Sequence, residues 1–110
     1  MQNYAPTSSL NIFLVLPKAE LHRHLEGSLR IETMRDIASA HGLTVPDNIV
    51  HLSDLVQIHD GEPYNFANFL EKFKTLRLFY RSPEVIARVT REAVEDAARE
   101  NVRYMELRFT

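Results

Sequence analysis

The chain has 110 residues, a formal net charge of −2 and no cysteine, and 45% of its residues are hydrophobic against 25% charged. This is the size and composition of one globular domain, not of a disordered chain. The charge gives no reason to expect binding to nucleic acid or an anionic membrane. The lack of cysteine excludes disulfide scaffolds, Cys-based zinc modules and Cys nucleophiles. No apolar run approaches the ~20 residues of a membrane span. We expect a soluble, cytoplasmic protein.

A short tail precedes a single domain. Residues 1–15 are predicted as an N-terminal tail, because residues 1–9 are polar and include Pro6, Thr7, Ser8 and Ser9. Residues 16–110 contain no internal repeat, low-complexity block or linker. We therefore predict one incomplete domain over 16–110.

A first strand is predicted over Ala19–Leu25, where a proline precedes the segment and Gly27–Ser28 follows it. Side chains alternate between the two faces of a strand. His22, His24 and Glu26 are therefore predicted on one face. The opposite face would carry Leu21, Arg23 and Leu25.

Helices are predicted from apolar residues at helical spacing and from helix-end signals. Gly42 is a typical residue after a helix C-terminus, and Ser82 followed by Pro83 is a typical helix start. The predicted helices cover Ile31–His41, Ser53–Ile58, Phe66–Tyr80 and the segment from Pro83 to about Glu100.

A second strand is predicted over Val102–Phe109 by its alternating pattern. A strand, several helices and another strand favour a parallel pair joined by a helical crossover, the arrangement of α/β proteins. Two parallel strands leave two open edges, and parallel sheets are normally covered on both faces. We expect the chain to be the opening part of a larger α/β protein.

The pattern His-x-His is the first chemical signal. Two neutral imidazoles are suitable ligands for zinc. His22 and His24, two residues apart on a strand, would reach one ion from the same side, whereas a helix would splay them apart. The alternative interpretation is a pair of partly exposed histidines near a strand end.

Three motifs resemble the adenosine deaminase family of the metal-dependent amidohydrolase superfamily. The segment Leu16–Arg30 reads LPKAELHRHLEGSLR and resembles the family's first strand, PK-x-E-L-H-x-H-L-[DE]-G-[ST]. Phe69–Phe73 reads FLEKF and is similar to the family's F-L-x-K-F helix over the substrate pocket. Asn101–Phe109 reads NVRYMELRF and is similar to its second barrel strand. Together the motifs extend over nearly the whole chain.

The resemblance implies an α/β fold of the TIM (β/α)8 barrel type, of which this chain would be an N-terminal fragment, mostly helical with two parallel strands. It implies one Zn²⁺ in the complete site and a purine nucleoside or base as the bound small molecule. Adenosine would be the leading substrate, deaminated hydrolytically to inosine and ammonia. His22 and His24 would be metal ligands. The implied substrate contacts are Glu26, Phe69, Leu70 and Phe73. Glu106 and Arg108 would point into the barrel near the site.

No catalytic residue is expected within this segment. The family's third histidine ligand, catalytic glutamate, hydroxide-orienting histidine and metal-binding aspartate lie on later strands. A barrel of this type typically needs about 250 residues, and two histidines leave zinc short of its usual four ligands. The parent enzyme would be a hydrolase acting on C–N bonds, and the isolated chain is expected to be inactive.

Other interpretations remain open at this point. The helical spacing of Phe69, Leu70 and Phe73 also fits an apolar stripe that packs into the core. Glu26 could have a structural role. Glu106 and Arg108 could form a structural ion pair. The whole chain could be a non-catalytic helical fragment that self-associates as a homo-oligomer through its open strand edges. It could also be a small protein with a weak metal site at the histidine pair.

Overall fold

The computed structural model describes the backbone of residues 9–45 and 49–110 and the side-chain surroundings of residues 12–45 and 52–110. Five α-helices and two strands follow one another in this part of the chain. They are α1 (Ser9–Val15), β1 (Lys18–His24), a 3₁₀ turn (Leu25–Ser28), α2 (Ile31–His41), α3 (Ile49–Val56), α4 (Phe66–Arg77), α5 (Pro83–Arg99) and β2 (Val102–Arg108). Among these helices, none combines the length and the apolar character that crossing a membrane requires.

The two strands pair in parallel, which confirms the predicted strand pair with a helical crossover. Lys18 lies opposite Val102 at one end and His24 lies opposite Arg108 at the other, and the register shifts between Glu20 and Arg23. The C-terminal ends of both strands therefore meet at the same edge of the sheet, where the two candidate histidines lie. The chain is thus a mixed helix and strand structure.

The first strand ends one residue earlier than predicted. Ser28 Oγ donates a hydrogen bond to the His24 carbonyl at 2.8 Å and so closes the 3₁₀ turn that follows β1. Glu26 consequently lies in this turn and is buried, not on the strand face predicted for it. The predicted apolar face is also divided, because Leu25 is buried in the turn whereas Leu21 is 62% exposed.

Helix ends follow the predicted local signals most closely in α2 and α5. α2 ends at Gly42, whose φ of 66° lies in the left-handed region and whose N–H donates to the Ala38 carbonyl. The Ser82 side chain accepts from the Val85 N–H, and Pro83 is the first residue of α5. α4 ends three residues before the predicted Tyr80, since the chain there continues in i→i+3 hydrogen bonds. α3 is shifted to Ile49–Val56 from the predicted Ser53–Ile58.

α1 occupies part of the segment predicted as a tail. Its last carbonyls receive hydrogen bonds from residues outside the helix: Lys18 Nζ donates to Leu14 at 3.4 Å, and Asn101 Nδ2 donates to Val15 at 2.5 Å. These bonds satisfy carbonyls that a helix end leaves without partners. One comes from β1 and the other from the residue just before β2, so the sequence of residues 9–15 does not reveal them. Residues 1–8 of the predicted tail lie outside the described residues.

The hydrophobic core lies between the helices and the 3₁₀ turn. Phe79, Met34, Leu52 and Val89 are each at most 1% exposed. The other buried members of the cluster are Leu25, Leu29, Ile37, Ala38, Val56, Leu76, Val85 and Ala93. This core fixes the direction in which the chain leaves β1 and re-enters the sheet at β2.

Replacing Gly42 by alanine should destabilise the fold by about 1 kcal/mol, because an L side chain is strained at positive φ. A Cβ at this position meets nothing within 4 Å, so the cost is that of the backbone alone. Gly27→Ala is the matched control, since Gly27 also has open space around it and its φ is not positive. Urea unfolding followed by circular dichroism measures both. Equal losses in the two variants would contradict this explanation.

A charged network joins α2 to α5. Arg30, just before α2, holds Asp96 through hydrogen bonds of 2.8 and 3.1 Å. Glu92 accepts from the Thr33 hydroxyl at 2.6 Å and from Arg88 Nε at 3.0 Å. Asp96 and Glu92 of α5 therefore accept hydrogen bonds from Arg30, just before α2, and from Thr33 of α2, respectively.

Lowering the pH should weaken this network. Hydrogen bonds from Arg30 hold the pKa of Asp96 below its ordinary value. Burial opposes ionisation of Glu92, but hydrogen bonds from Thr33 and Arg88 outweigh it and lower its pKa as well. Such carboxyls stabilise the fold above their unfolded pKa of about 4, and this contribution is lost as the pH falls through the folded pKa. We expect the free energy of unfolding to fall below about pH 4, and less steeply in Arg30→Met. Parallel pH curves for the two proteins in urea unfolding would contradict this.

Candidate functional site

The two histidines of β1 face each other at the C-terminal end of the strand. Their Nε2 atoms are 3.1 Å apart, and their ring centroids are 4.9 Å apart. Two Zn–N bonds of 2.0–2.1 Å at a tetrahedral angle separate the nitrogens by about 3.3 Å. His22 and His24 thus have a spacing that two ligands of one ion require. Within the described residues no third His, Asp or Glu joins them in a metal-binding group.

Arg108, at the end of β2, contacts the same pair. Its guanidinium nitrogen lies 3.0 Å from His22 Nδ1. Arginine can only donate hydrogen bonds, so His22 Nδ1 accepts in this contact. Arg108 therefore joins the end of β2 to the histidine pair of β1.

Aromatic side chains of α4 adjoin the histidines. The Phe73 ring stands edge-on to the His24 ring with centroids 5.4 Å apart, and Phe69 follows at 5.0 Å from Phe73. Phe69 and Leu70 are 42% and 41% exposed, so this part of α4 is an open surface, not the closed core of the alternative interpretation. α4 contributes to the core one turn further on, through Leu76.

Glu26 lies apart from this surface. It is 3% exposed; its Oε1 accepts the Thr110 N–H at 2.7 Å, and its Oε2 is buried without a hydrogen-bond partner among the described residues. It lines a cavity of about 380 Å³, together with Tyr80, Leu107 and Phe109, and neither histidine lines that cavity. Burial, with the Glu26 charge as a second cause, raises the pKa of Tyr80.

On β2, Glu106 and Arg108 have separate partners. The Tyr104 hydroxyl donates to Glu106 at 2.8 Å, while Arg108 contacts His22. The acid and the arginine therefore do not form the ion pair considered from the sequence. Arg108 lies next to a candidate metal ligand, His22.

Comparison with known proteins matches residues 17–110 to the family model described as adenosine deaminase. The chain belongs to the adenosine deaminase family. An adenosine deaminase of Vibrio vulnificus is 35% identical over 94 residues, which are 86% of this chain and 28% of that relative. One of Clostridium botulinum is 40% identical over 98 residues, 88% of this chain and 29% of the relative. This chain therefore spans less than a third of the length of either relative.

Solved structures agree with this membership of the adenosine deaminase family. The adenine deaminase of Arthrobacter aurescens superposes with a TM-score of 0.71 at 28% identity, over 84% of this chain and 27% of that one. Arabidopsis ADAL, solved in complex with IMP, superposes with a TM-score of 0.66 at 33% identity, over 90% of this chain and 28% of that one. The resemblance found from three sequence motifs is confirmed at the level of the family.

Within this adenosine deaminase family segment, the structure brings together His22, His24, Phe69 and Phe73. Leu70 lies beside them on α4, and Glu26 lies in the neighbouring cavity. Sequence reasoning missed Lys72, which is buried within α4. Its only local signal is a lysine that directly precedes Phe73 in the F-L-x-K-F motif.

Proposed function

We propose that this chain forms the N-terminal part of a cytoplasmic, zinc-dependent, hydrolytic aminopurine deaminase, with adenosine as the leading substrate. The observation that carries the proposal is the facing of the His22 and His24 Nε2 atoms at 3.1 Å beside the Phe73 ring. A metal-ligand pair next to an exposed aromatic surface suits a planar heterocycle held against a metal-activated nucleophile.

The donor set fits zinc as half of a site. His22 and His24 would supply two nitrogen ligands, and the remaining ligands would come from other strands of the complete barrel. Bound zinc supplies Lewis acidity and a nucleophile from water at neutral pH.

The apolar residues of α4 would bind and shield the purine. Phe69 and Phe73 offer ring faces and edges for a planar base, and Leu70 would extend the apolar wall and exclude water. Glu26 would contact a sugar hydroxyl or its equivalent. In support, its Oε2 has no partner among the described residues and can accept one more hydrogen bond.

The purine assignment has support from the solved relatives. One is an adenine deaminase, and another was crystallised with IMP. IMP carries a 6-oxopurine, the kind of base that hydrolysis of a 6-aminopurine produces. We propose purine nucleosides and bases as the substrate class.

A chimera tests the proposal directly. Residues 17–110 of this chain would replace the matching region of the Vibrio vulnificus adenosine deaminase, and ammonia release from adenosine and from adenine would be measured. We expect zinc-dependent activity that disappears in the His22→Ala, His24→Ala chimera. His41→Ala is the control, because His41 is exposed at the end of α2. A folded chimera without activity would refute the proposal.

The isolated chain is expected to release no ammonia above background from adenosine in the presence of zinc. The physical reason is that two histidines complete neither the metal site nor the acid–base groups that protonation of a purine ring requires. The measurement is a coupled ammonia assay on the purified chain. Turnover comparable to that of a complete adenosine deaminase would contradict this expectation.

Self-association of the isolated chain is a second candidate. Phe13 and Val15 of α1 are 64% and 68% exposed, and Phe109 at the end of the sheet is 75% exposed. Such apolar surface, next to open parallel strand edges, favours burial against a second copy. Light scattering distinguishes a homo-oligomer from a monomer.

A further inference from the structure

A buried lysine lies between the aromatic residues of α4. Lys72 is 9% exposed, three residues after Phe69 and directly before Phe73. Its Nζ donates to the Asp54 carbonyl at 2.5 Å and contacts both Glu62 carboxylate oxygens at 3.0 and 3.1 Å. A lysine with its charge removed from water needs such partners, because burial without them is strongly unfavourable.

Glu62, the partner of Lys72, is the centre of a small network. Its carboxylate also accepts the Asn68 side-chain amide at 2.8 Å and the His59 N–H at 3.3 Å. These contacts bring together the connection between α3 and α4 and the first turn of α4. Hydrogen bonds from Asn68 and Lys72 lower the pKa of Glu62, so it stays ionised opposite the lysine.

The contacts of Lys72 restrain how α4 is oriented. The lysine joins three parts of the chain: α3 through Asp54, the α3–α4 connection through Glu62, and α4 itself. Rotation of α4 about its axis would pull Nζ from both acceptors. The same rotation would move Phe73 away from the His24 ring, since Phe73 is the next residue on the helix.

A second lysine on the same helix provides the contrast. The Lys74 side chain is 69% exposed, and among the described residues its salt-bridge partner is Glu71, one turn back on α4. Such a pair cannot hold α4 against another element. The position of the helix therefore depends on Lys72, not on lysine charge in general.

We propose that Lys72 is a positioning residue that fixes the orientation of α4 and thereby keeps Phe73 against His24. This inference rests on the proposed function, in which Phe69 and Phe73 form the apolar side of the purine site. It adds to that function a residue that acts through Phe73 without touching the substrate.

The first test is an NMR measurement on the chain itself. The nuclear Overhauser effect between the ring protons of Phe73 and His24 should be present in the native chain and in Lys74→Met, and lost in Lys72→Met. Lys72→Arg should restore part of it, because a guanidinium can still donate to Glu62. Should Lys72→Met fail to fold, Glu62→Gln tests the same contact with the lysine in place and should weaken the signal. An undiminished signal in a folded Lys72→Met or Glu62→Gln chain would overturn the proposal.

The second test uses the chimera. Lys72→Met should raise KM for adenosine about tenfold with kcat within about twofold, because an apolar wall binds ground state and transition state alike. Lys72→Arg should recover part of this loss, and Lys74→Met should leave KM unchanged. Failure of the proposed function can be distinguished from failure of the proposed role of Lys72. An inactive but folded native chimera refutes the proposed function, whereas an unchanged ring contact in folded Lys72→Met refutes only the role of Lys72.

Discussion

Replacing Phe79 by alanine should lower the free energy of unfolding by about 3–5 kcal/mol. The Phe79 side chain is 1% exposed and is the largest of the fully buried side chains in the described residues. It lies in the core cluster with Met34 and Leu52, so its removal forfeits the burial of an aromatic ring and leaves a cavity that neighbouring helices can only partly fill. Urea unfolding followed by circular dichroism measures the loss.

The matched control for Phe79 is Phe66→Ala. Phe66 is 72% exposed at the start of α4, so its removal should change the free energy of unfolding by less than about 0.5 kcal/mol. Domains of this size are stable by about 5–15 kcal/mol, so the Phe79 variant is expected to unfold at clearly lower urea concentration. A loss of equal size in the two variants would contradict the assignment of Phe79 to the buried core and of Phe66 to the surface.

The double substitution His22→Ala, His24→Ala should abolish the weak zinc binding expected of the chain, because it removes both nitrogen ligands. The reason is that the two Nε2 atoms lie 3.1 Å apart at the end of β1. The described residues contain no group of three or more ligating side chains that would offer a competing site. Isothermal titration calorimetry of the chain with zinc alone measures this. Because histidine binds zinc only as the neutral imidazole, the affinity should also fall as the pH is lowered.

His41→Ala again serves as control and should bind zinc as the native chain does, since His41 lies exposed at the end of α2. Zinc binding that survives the double substitution would place the metal elsewhere. It would also remove the main support for a metal-dependent deaminase site at this strand end.

Arg108 sets a limit on how tightly the chain alone can bind a cation. Its guanidinium lies 3.0 Å from His22 Nδ1, and its charge repels a divalent ion bound at the same ring. Weak binding by the isolated chain is therefore the expected result.

The sequence by itself determined the family and those elements whose ends depend on local chemistry. α2 ends at Gly42 because a left-handed residue is needed there, and α5 begins at Ser82 and Pro83 because a side-chain oxygen and a fixed φ suit a helix start. The pairing of His22 with His24 follows from strand alternation, which needs only adjacent residues. The family motifs are contiguous runs, so they too can be recognised without a structure.

Only the tertiary structure decided the features that depend on distant residues. Glu26 is buried in a turn that is held by hydrogen bonds from two distant residues: the Tyr80 hydroxyl donates to the Leu25 carbonyl, and the Thr110 N–H donates to Glu26. α1 ends where Lys18 and Asn101 supply donors, and the buried Lys72 of α4 finds its partners in Asp54 and Glu62. Local propensity specifies where a helix can begin or end, but long-range hydrogen bonds and burial determine which polar groups find partners.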